Sequence, residues 1–526
     1  MRFARMHRPP TRRTRGLSLL IVALGTFAPV AAFAVLGGCE VMADLGRYDV
    51  VTNAPDAMPD AAPPPDACAC GTRCCSAGSA CLDNRGEGIC EHDVAELSAG
   101  GESACALLAN GTLWCWGGNQ FGTLGVGPAG DEQCVAANVP VACRYRPVQV
   151  EGLNDVAHVS EGQLITCAIK RDNSVWCWGK NEHGELGHQP GSNGDRTCTV
   201  NLDASSAAFP CNPIPKQVPG VSALEVTAGA FHVCAVQTDH SVACWGWNDR
   251  AELGDPDTGP AGRSEPRVIR GLPPIAHVAT GLNVKHSCAV ALEGGGVWCW
   301  GDDPSGQLGI PSELDQVCAD GTPCSFIPRQ VTTGVVLGDA SAYVPFEGAI
   351  DVRTGFLFSC ALRSSGVVWC WGDSGYGTLG LPADASGPQR SPIAIGGLPP
   401  VRKLDARFQH VCALVEGGAT WCWGDNYLGE IGVGTTVGEV CLGIPKQTCR
   451  PSPERALRNG TNIAVATGIS TSFSLSDDHR TIWAWGTNDT GRLAHSPIPG
   501  QDNLNCADNL QSVCNPYPTA IGGFPP

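Results

Sequence analysis

The chain of 526 residues predicts an all-β fold: a seven-bladed β-propeller with disulfide-stapled blades, preceded by a small cysteine-rich segment. Three observations carry this. One unit recurs seven times, paired cysteines recur inside it at a spacing of ten residues and once eleven, and a further short apolar element follows every copy.

The first copy reads Cys105-Ala106-Leu107, a turn at Asn110-Gly111, then Leu113-Trp114-Cys115-Trp116-Gly117 and a second turn ending Gly122-Thr123-Leu124-Gly125. The Trp-Gly step returns at Trp178-Gly179, Trp245-Gly246, Trp300-Gly301, Trp371-Gly372, Trp423-Gly424 and Trp485-Gly486, at intervals of 52 to 71 residues. A period of this size marks a repeat architecture in which each unit buries its faces against its neighbours. All fourteen tryptophans lie in or beside these motifs, which makes them packing groups.

Short apolar runs bounded by Gly, Asn and Asp turns read as β-hairpins. With Cys105 opposite Cys115, Ala109-Asn110-Gly111 is left as a three-residue loop, and Gly111 suits its left-handed position. A close antiparallel pair brings Cα atoms to about 4.5 Å, at the short edge of what a disulfide tolerates. Six hairpins carry such a pair: Cys105 and Cys115, Cys167 and Cys177, Cys234 and Cys244, Cys288 and Cys299, Cys360 and Cys370, Cys412 and Cys422. The seventh replaces both cysteines together, with Phe473-Ser474-Leu475 and Trp483-Ala484-Trp485, as a true bond predicts. Alternation puts Trp114 and Trp116 on one face and Cys115 on the other, and two apolar faces call for sheets stacked on both sides.

The following element runs over 147–150, 215–218, 266–269, 328–331, 392–395, 453–456 and 518–521, each opening on proline, and none precedes the first copy. The last one, near the C-terminus, is therefore expected to complete the sheet begun near Val94 and so close the ring without an open edge.

Residues 1–38 read as an export signal: six arginines lie in the first fifteen residues, and no charge occurs from Gly16 to Leu36. Leu36-Gly37-Gly38-Cys39 resembles a bacterial lipobox, so Cys39 is the expected lipidation site and the first mature residue, with Glu40 weakly favouring an outer membrane. Residues 39–67, with Asp60-Ala61-Ala62-Pro63-Pro64-Pro65-Asp66, are too poor in large apolar groups for a core and read as a tether. Losing the six signal arginines takes the formal net charge from −17 to −23, which argues against nucleic acid as a partner.

Twenty-nine cysteines in an exported chain read as a disulfide framework. Cys39 accounts for the odd one. In the segment 68–93, Cys68, Cys70, Cys74, Cys75, Cys81 and Cys90 form a module whose connectivity the sequence leaves open, and the lack of histidine among them disfavours a metal cluster. Beyond the hairpin pairs, Cys134 and Cys143, Cys198 and Cys211, Cys318 and Cys324, Cys441 and Cys449, and Cys506 and Cys514 are five local clips inside polar insertions.

Residues 94–526, with Ala-Leu or Ala-Val before Trp-x-Trp-Gly-x-Asn-x-x-Gly-x-Leu-Gly, resemble the regulator-of-chromosome-condensation repeat, in an exported, bacterial lipoprotein variant. The resemblance implies a seven-bladed propeller, and it brings guanine-nucleotide exchange as the family's best-known activity. An exported chain does not meet a cytosolic GTPase, and a fold hosts many functions. His232, His286 and His410 precede the first staple cysteine by two residues where other copies have Ile165 and Phe358, and so read as packing groups rather than a metal or catalytic set. No nucleophile or paired-carboxylate motif stands out, so no catalytic residue, metal or cofactor is assigned.

One turn position after Trp-Gly varies in every copy: Phe121, His183, Arg250, Ser305, Tyr376, Leu428 and Thr490. If the blades are equivalent, these form an exposed ring on one face, and rim loops of a rigid scaffold are where recognition sits. The reading is a monomeric, lipid-anchored envelope binding or scaffold protein, not an enzyme, whose rim recognises a protein or polysaccharide.

Overall fold

The computed structural model describes residues 69–524 apart from 71–72, 75–80, 83–88, 129–130, 137–138, 203–204, 336–342, 382–386, 442–446, 458–459, 499–501, 503–512 and 523. Cys39, Cys68, Cys75 and Cys506 lie outside the described residues, as do the signal and tether. Two short hairpins, Ala69–Cys70 with Arg73–Cys74 and Cys81–Leu82 with Ile89–Cys90, precede the propeller.

Among the described residues seven antiparallel blades follow one another. Blade 1 is Val94–Ala99, Ser103–Leu108, Leu113–Gly118 and Val139–Gln149 in that spatial order. Blade 2 is Val156–Glu161, Ile165–Lys170, Ser174–Lys180 and the start of the long strand Ser205–Ala228, whose far end opens blade 3 with His232–Gln237, Val242–Gly246 and Arg263–Val268. Blade 4 comprises Ile275–Thr280, His286–Ala291, Val297–Asp302 and Pro323–Gln330; blade 5 comprises Ala349–Gly355, Phe358–Arg363, Val368–Gly372 and Gln389–Ala394. Blade 6 is Val401–Arg407, His410–Val415, Thr420–Asp425 and Thr448–Arg455, and blade 7 is Asn462–Thr467, Thr471–Ser476, Ile482–Thr487 and Cys514–Ile521.

The C-terminal strand corrects one expectation. Cys514–Ile521 pairs with Ile482–Thr487 and finishes its own blade instead of adding to the sheet begun at Val94. Every blade starts one strand before its cysteine motif, and Val94–Ala99 is already the inner strand of blade 1. The ring closes by packing: Ala104, Ala106, Leu108 and Trp116 of blade 1 share one core with Phe473, Leu475, Ile482 and Leu493 of blade 7. Val94 also donates to the His479 carbonyl at 2.7 Å, and Ile469 to that of Gly100 at 3.1 Å. Among the described residues these two blades exchange no strand.

One contact recurs at every seam. The second tryptophan of every motif is fully buried, and its indole N–H donates to a carbonyl in the turn of the preceding blade. Trp178 reaches Thr123 at 2.6 Å, Trp245 reaches Glu185, Trp300 reaches Glu252 and Trp371 reaches Gln307. Trp423 reaches Thr378, Trp485 reaches Glu430, and Trp116 closes the circle on Arg492 at 2.8 Å. A buried indole needs such a partner. The glycine after each of these tryptophans has no substitute: Gly246 sits at φ 104°, and a Cβ there would lie 2.6 Å from the Phe231 carbonyl oxygen.

The hairpin staples lie in direct register, Cys105 opposite Cys115, with Cα atoms 4.1 Å apart. Cys167–Cys177, Cys234–Cys244, Cys288–Cys299, Cys360–Cys370 and Cys412–Cys422 repeat the arrangement. The loop is three residues long, Leu108 donating to the Thr112 carbonyl, and Gly111 takes φ 81°. The clips Cys134–Cys143, Cys198–Cys211, Cys318–Cys324 and Cys441–Cys449 join outer strands to their insertions. In blade 7, Phe473 stands opposite Ala484 where the staple would be.

Candidate functional site

Strand direction gives the disc two unlike faces. The tight hairpin loops lie on one, and the turns after Trp-Gly lie on the other, where the clipped insertions also emerge. The segment before blade 1 meets the hairpin-loop face: Asn110 donates to the Glu91 carbonyl and Ala109 to that of Asp93.

The variable turn residues do occupy equivalent positions on the second face, but they do not stand free. Five of them, Phe121, His183, Arg250, Tyr376 and Thr490, lean on the next blade. Phe121 stacks on Phe209 with ring centroids 5.4 Å apart, and His183 stacks on Trp247 at 4.1 Å. Arg250 bonds Asp302 and Thr322 and pairs with Asp320 at 2.6 Å. Tyr376 lies beside Asp373, Asp425 and Gln409, and burial comes first among the causes that push its phenol up to about 12. Thr490 is fully buried and donates to the Glu102 carbonyl. Ser305 and Leu428 are half-buried, their amides donating to Gln307 and Glu430. The positions vary because the partner across the seam varies with them: Trp247 and Asp302 both occupy the place directly after Trp-Gly. A half-buried seam residue is not an exposed turn, so truncating Phe121, Arg250 and Tyr376 should cost stability, contrary to what exposure would predict.

On blades 2 to 4 this seam widens into a cluster of aromatic rings and cations. Trp247, the one tryptophan outside the Trp-x-Trp-Gly pattern, takes His183 on its face and the edge of Phe231 at 5.0 Å. The Lys285 ammonium lies 5.0 Å from the Trp247 ring and 2.7 Å from Asp249. Lys180 lies between Phe209 and Phe231, at 5.3 and 5.5 Å. Burial holds the His183 imidazole below its ordinary range, so this ring is neutral at pH 7. Phe231, Trp247, Asp249 and Lys285 all keep partial exposure. The sequence signal for this cluster was a tryptophan off the motif in the copy where Ala243 replaces the motif's first tryptophan.

His232, His286 and His410 are not brought together. Each is buried and bonds a serine of the following blade, Ser287, Ser359 or Ser472, at 2.8 to 2.9 Å. Burial presses their pKa values down to about 4, 3 and 4, so they are neutral seam groups. Between blades 1 and 2 the corresponding polar contact is Ser103 to Glu161 at 3.0 Å. Glu161 is fully buried, and burial raises it to about 8 against the opposing pull of Ser103 and Arg407. A carboxyl whose folded pKa is raised stabilises the fold most below its ordinary 4.5 and loses that contribution as pH climbs towards 8. Glu161→Gln should flatten this loss, worth on the order of 2–4 kcal/mol between pH 5 and pH 9 in urea titrations. An unchanged slope would mean that Glu161 ionises freely in the folded chain.

Comparison with known proteins accords with this architecture. Two family models, both described as the Regulator of chromosome condensation (RCC1) repeat, match residues 94–123, 156–185 and 349–378, and residues 110–169 and 172–236. The Ultraviolet-B receptor UVR8 of Arabidopsis thaliana is 25% identical over 402 residues, covering 76% of this chain and 78% of the receptor. The E3 ubiquitin-protein ligase HERC2 of Homo sapiens is 26% identical over 348 residues, 65% of this chain but 6% of the ligase. Yeast RCC1 (Prp20), solved bound to Kap60, superposes with a TM-score of 0.60 at 21% identity, covering 79% of this chain and 85% of the other. Human WBSCR16 gives 0.57 at 18% identity, covering 78% and 94%. At these identities the structural likenesses establish the fold alone.

Proposed function

We propose, from the regulator of chromosome condensation repeats that the chain carries, that it is an envelope binding protein, lipid-anchored through Cys39, which recognises a protein partner on the rim of blades 2 to 4. The observation that carries the reading is the partly exposed cluster of Phe231, Trp247, Lys285 and His183. A tryptophan not consumed by the core, with cations and rings fixed around it, has the composition of an interface anchor. Elsewhere on the rim the turn residues are taken up by the seams.

Two further facts support it. The segment at Glu91 and Asp93 meets the propeller at its hairpin-loop face, so these residues leave the turn-bearing face uncovered. Yeast Prp20p, of the same fold, was solved in a study of its binding to Gsp1p and histones, so a protein ligand is in keeping with the scaffold. The ligase activity named for HERC2 belongs to a protein of which this chain spans 6% and forms no part of the reading. Guanine-nucleotide exchange is the competing function, and accelerated nucleotide release from a GTPase would favour it.

The test has two arms. Cys39→Ala should leave the chain without lipid in metabolic labelling and out of the membrane fraction. Trp247→Ala should weaken binding to the envelope partner by about thirtyfold or more, the cost of an anchor worth ~2 kcal/mol. Wild-type chain that carries no lipid would end the anchoring claim, and unaltered affinity would end the rim claim.

A further inference from the structure

The inner strand of blade 2, Val156–Glu161, touches the inner strands of blades 1 and 3 and is tied to both. The Glu161 amide donates to the Ser98 hydroxyl of blade 1 at 2.9 Å, and the Ser160 hydroxyl accepts from the Ala228 amide of blade 3 at 3.0 Å. Two further ties run through titratable side chains, those of His158 and Glu161, and each of them needs a proton.

His158 spends both ring nitrogens on acceptors in different blades. Nδ1 lies 2.8 Å from Oε1 of Glu96 in blade 1, and Nε2 lies 3.0 Å from the Val226 carbonyl oxygen in blade 3. A carbonyl only accepts, so Nε2 carries hydrogen, and in a neutral imidazole Nδ1 would then turn a bare lone pair on the carboxylate. The pair of contacts is made only with a second proton between Nδ1 and Glu96. Burial opposes that charge, but Glu96, with Glu225 beyond it, outweighs burial and holds the imidazole up to about 9.

At the other end of the strand the Glu161 carboxyl takes the Ser103 hydroxyl of blade 1 at 3.0 Å and lies 3.0 Å from the Cys105 sulfur. The cation that acts on it, Arg407 of blade 6, donates to the main-chain carbonyl of Glu161 and not to its carboxyl. A fully buried carboxyl held in this way keeps its proton. In the same register place the other blades have Ala99, Ala228, Thr280, Thr354, Ala406 and Thr467, so blade 2 alone puts an acid there.

We propose that Val156–Glu161 is a proton-held clasp, joined to blades 1 and 3 while His158 and Glu161 are both protonated and freed by alkali when both let go. Loss of the His158 proton sets a lone pair against the Glu96 carboxylate, and ionisation of Glu161 leaves a buried charge beside Ser103 without a bonded cation. The charged groups facing the clasp are Glu96 and Glu225 at His158 and Arg407 at Glu161, with Asp405 and Arg353 acting on Arg407. Both folded values lie above the ordinary 6.5 and 4.5. Each proton therefore stabilises the fold in full below its ordinary value, and that contribution is gone once pH has climbed through about 9 for His158 and about 8 for Glu161. Between pH 6.5 and 8 the two act together, each lowering the folding equilibrium by about tenfold per pH unit.

Urea titrations of the full chain at several pH values between 6.5 and 8 count the protons released on unfolding. His158→Gln and Glu161→Gln should each release about one proton fewer than wild type, and the double variant about two fewer. Glu96→Gln, which keeps the imidazole and removes its acceptor, should cost the same one proton and stands in should His158→Gln fail to fold. Hydrogen exchange places the effect: from pH 7 to 9.5 the protection of Val156–Glu161 should fall at least about tenfold more than that of Ala349–Gly355 in blade 5. Proton release equal to wild type in either single variant overturns the proposal, as does protection lost equally from both strands.

Discussion

Trp116→Ala should destabilise the propeller by about 3–5 kcal/mol, the range for truncating a buried aromatic residue. The indole has no exposed surface, packs edge-on against Phe473 at 6.0 Å and Phe524 at 5.8 Å, and donates to the Arg492 carbonyl. Its removal leaves a cavity and an unsatisfied buried acceptor at the seam between the first and last blades, where among the described residues no disulfide and no shared strand takes over. Trp116→Phe separates the two contributions: it keeps much of the ring and loses the hydrogen bond, for about 1–3 kcal/mol. Denaturant midpoints of the two variants check both figures. Midpoints equal to wild type would mean that blades 1 and 7 are not packed through Trp116.

Replacing Cys412 and Cys422 together by alanine should cost about 2–4 kcal/mol, the range for closing a short loop by a disulfide. Both sulfurs are fully buried and lie against Ile431, Ala456 and Trp485, so a cavity adds to the lost cross-link. Blade 7 shows how the chain manages without the bond, since Phe473 faces Ala484 in the same register. Cys412→Phe with Cys422→Ala should therefore regain part of the loss. A double alanine variant with wild-type stability would show that the staple contributes nothing in the folded blade.

Much of this fold was legible because its signals are local. The spacing of Cys105 and Cys115 fixes the register of a hairpin, Gly111 fixes its loop, and seven Trp-Gly steps number the blades. Ring closure was not legible. Val94–Ala99 carries no motif residue, and whether the terminal strand pairs with it or with Ile482–Thr487 depends on contacts hundreds of residues apart. The variable turns misled for a related reason: a single position that changes in every copy looks like a recognition surface, whereas His183 with Trp247 and Arg250 with Asp302 change as pairs across a seam. Trp247 was missed: counting all fourteen tryptophans as packing groups passed over the one that stands outside the Trp-x-Trp-Gly pattern and keeps partial exposure.

Site-specific photo-crosslinking in intact cells bears most directly on the claim that this is an anchored binding protein working through one rim. A photoreactive residue at position 285 probes the cluster around Trp247, and one at position 292, where Leu292 is 49% exposed on the hairpin loop of the same blade, probes the opposite face. The account predicts a discrete protein adduct from position 285 that disappears in the Trp247→Ala background, and none from position 292. Adducts from position 292 alone, or adducts from position 285 that persist without Trp247, would contradict it.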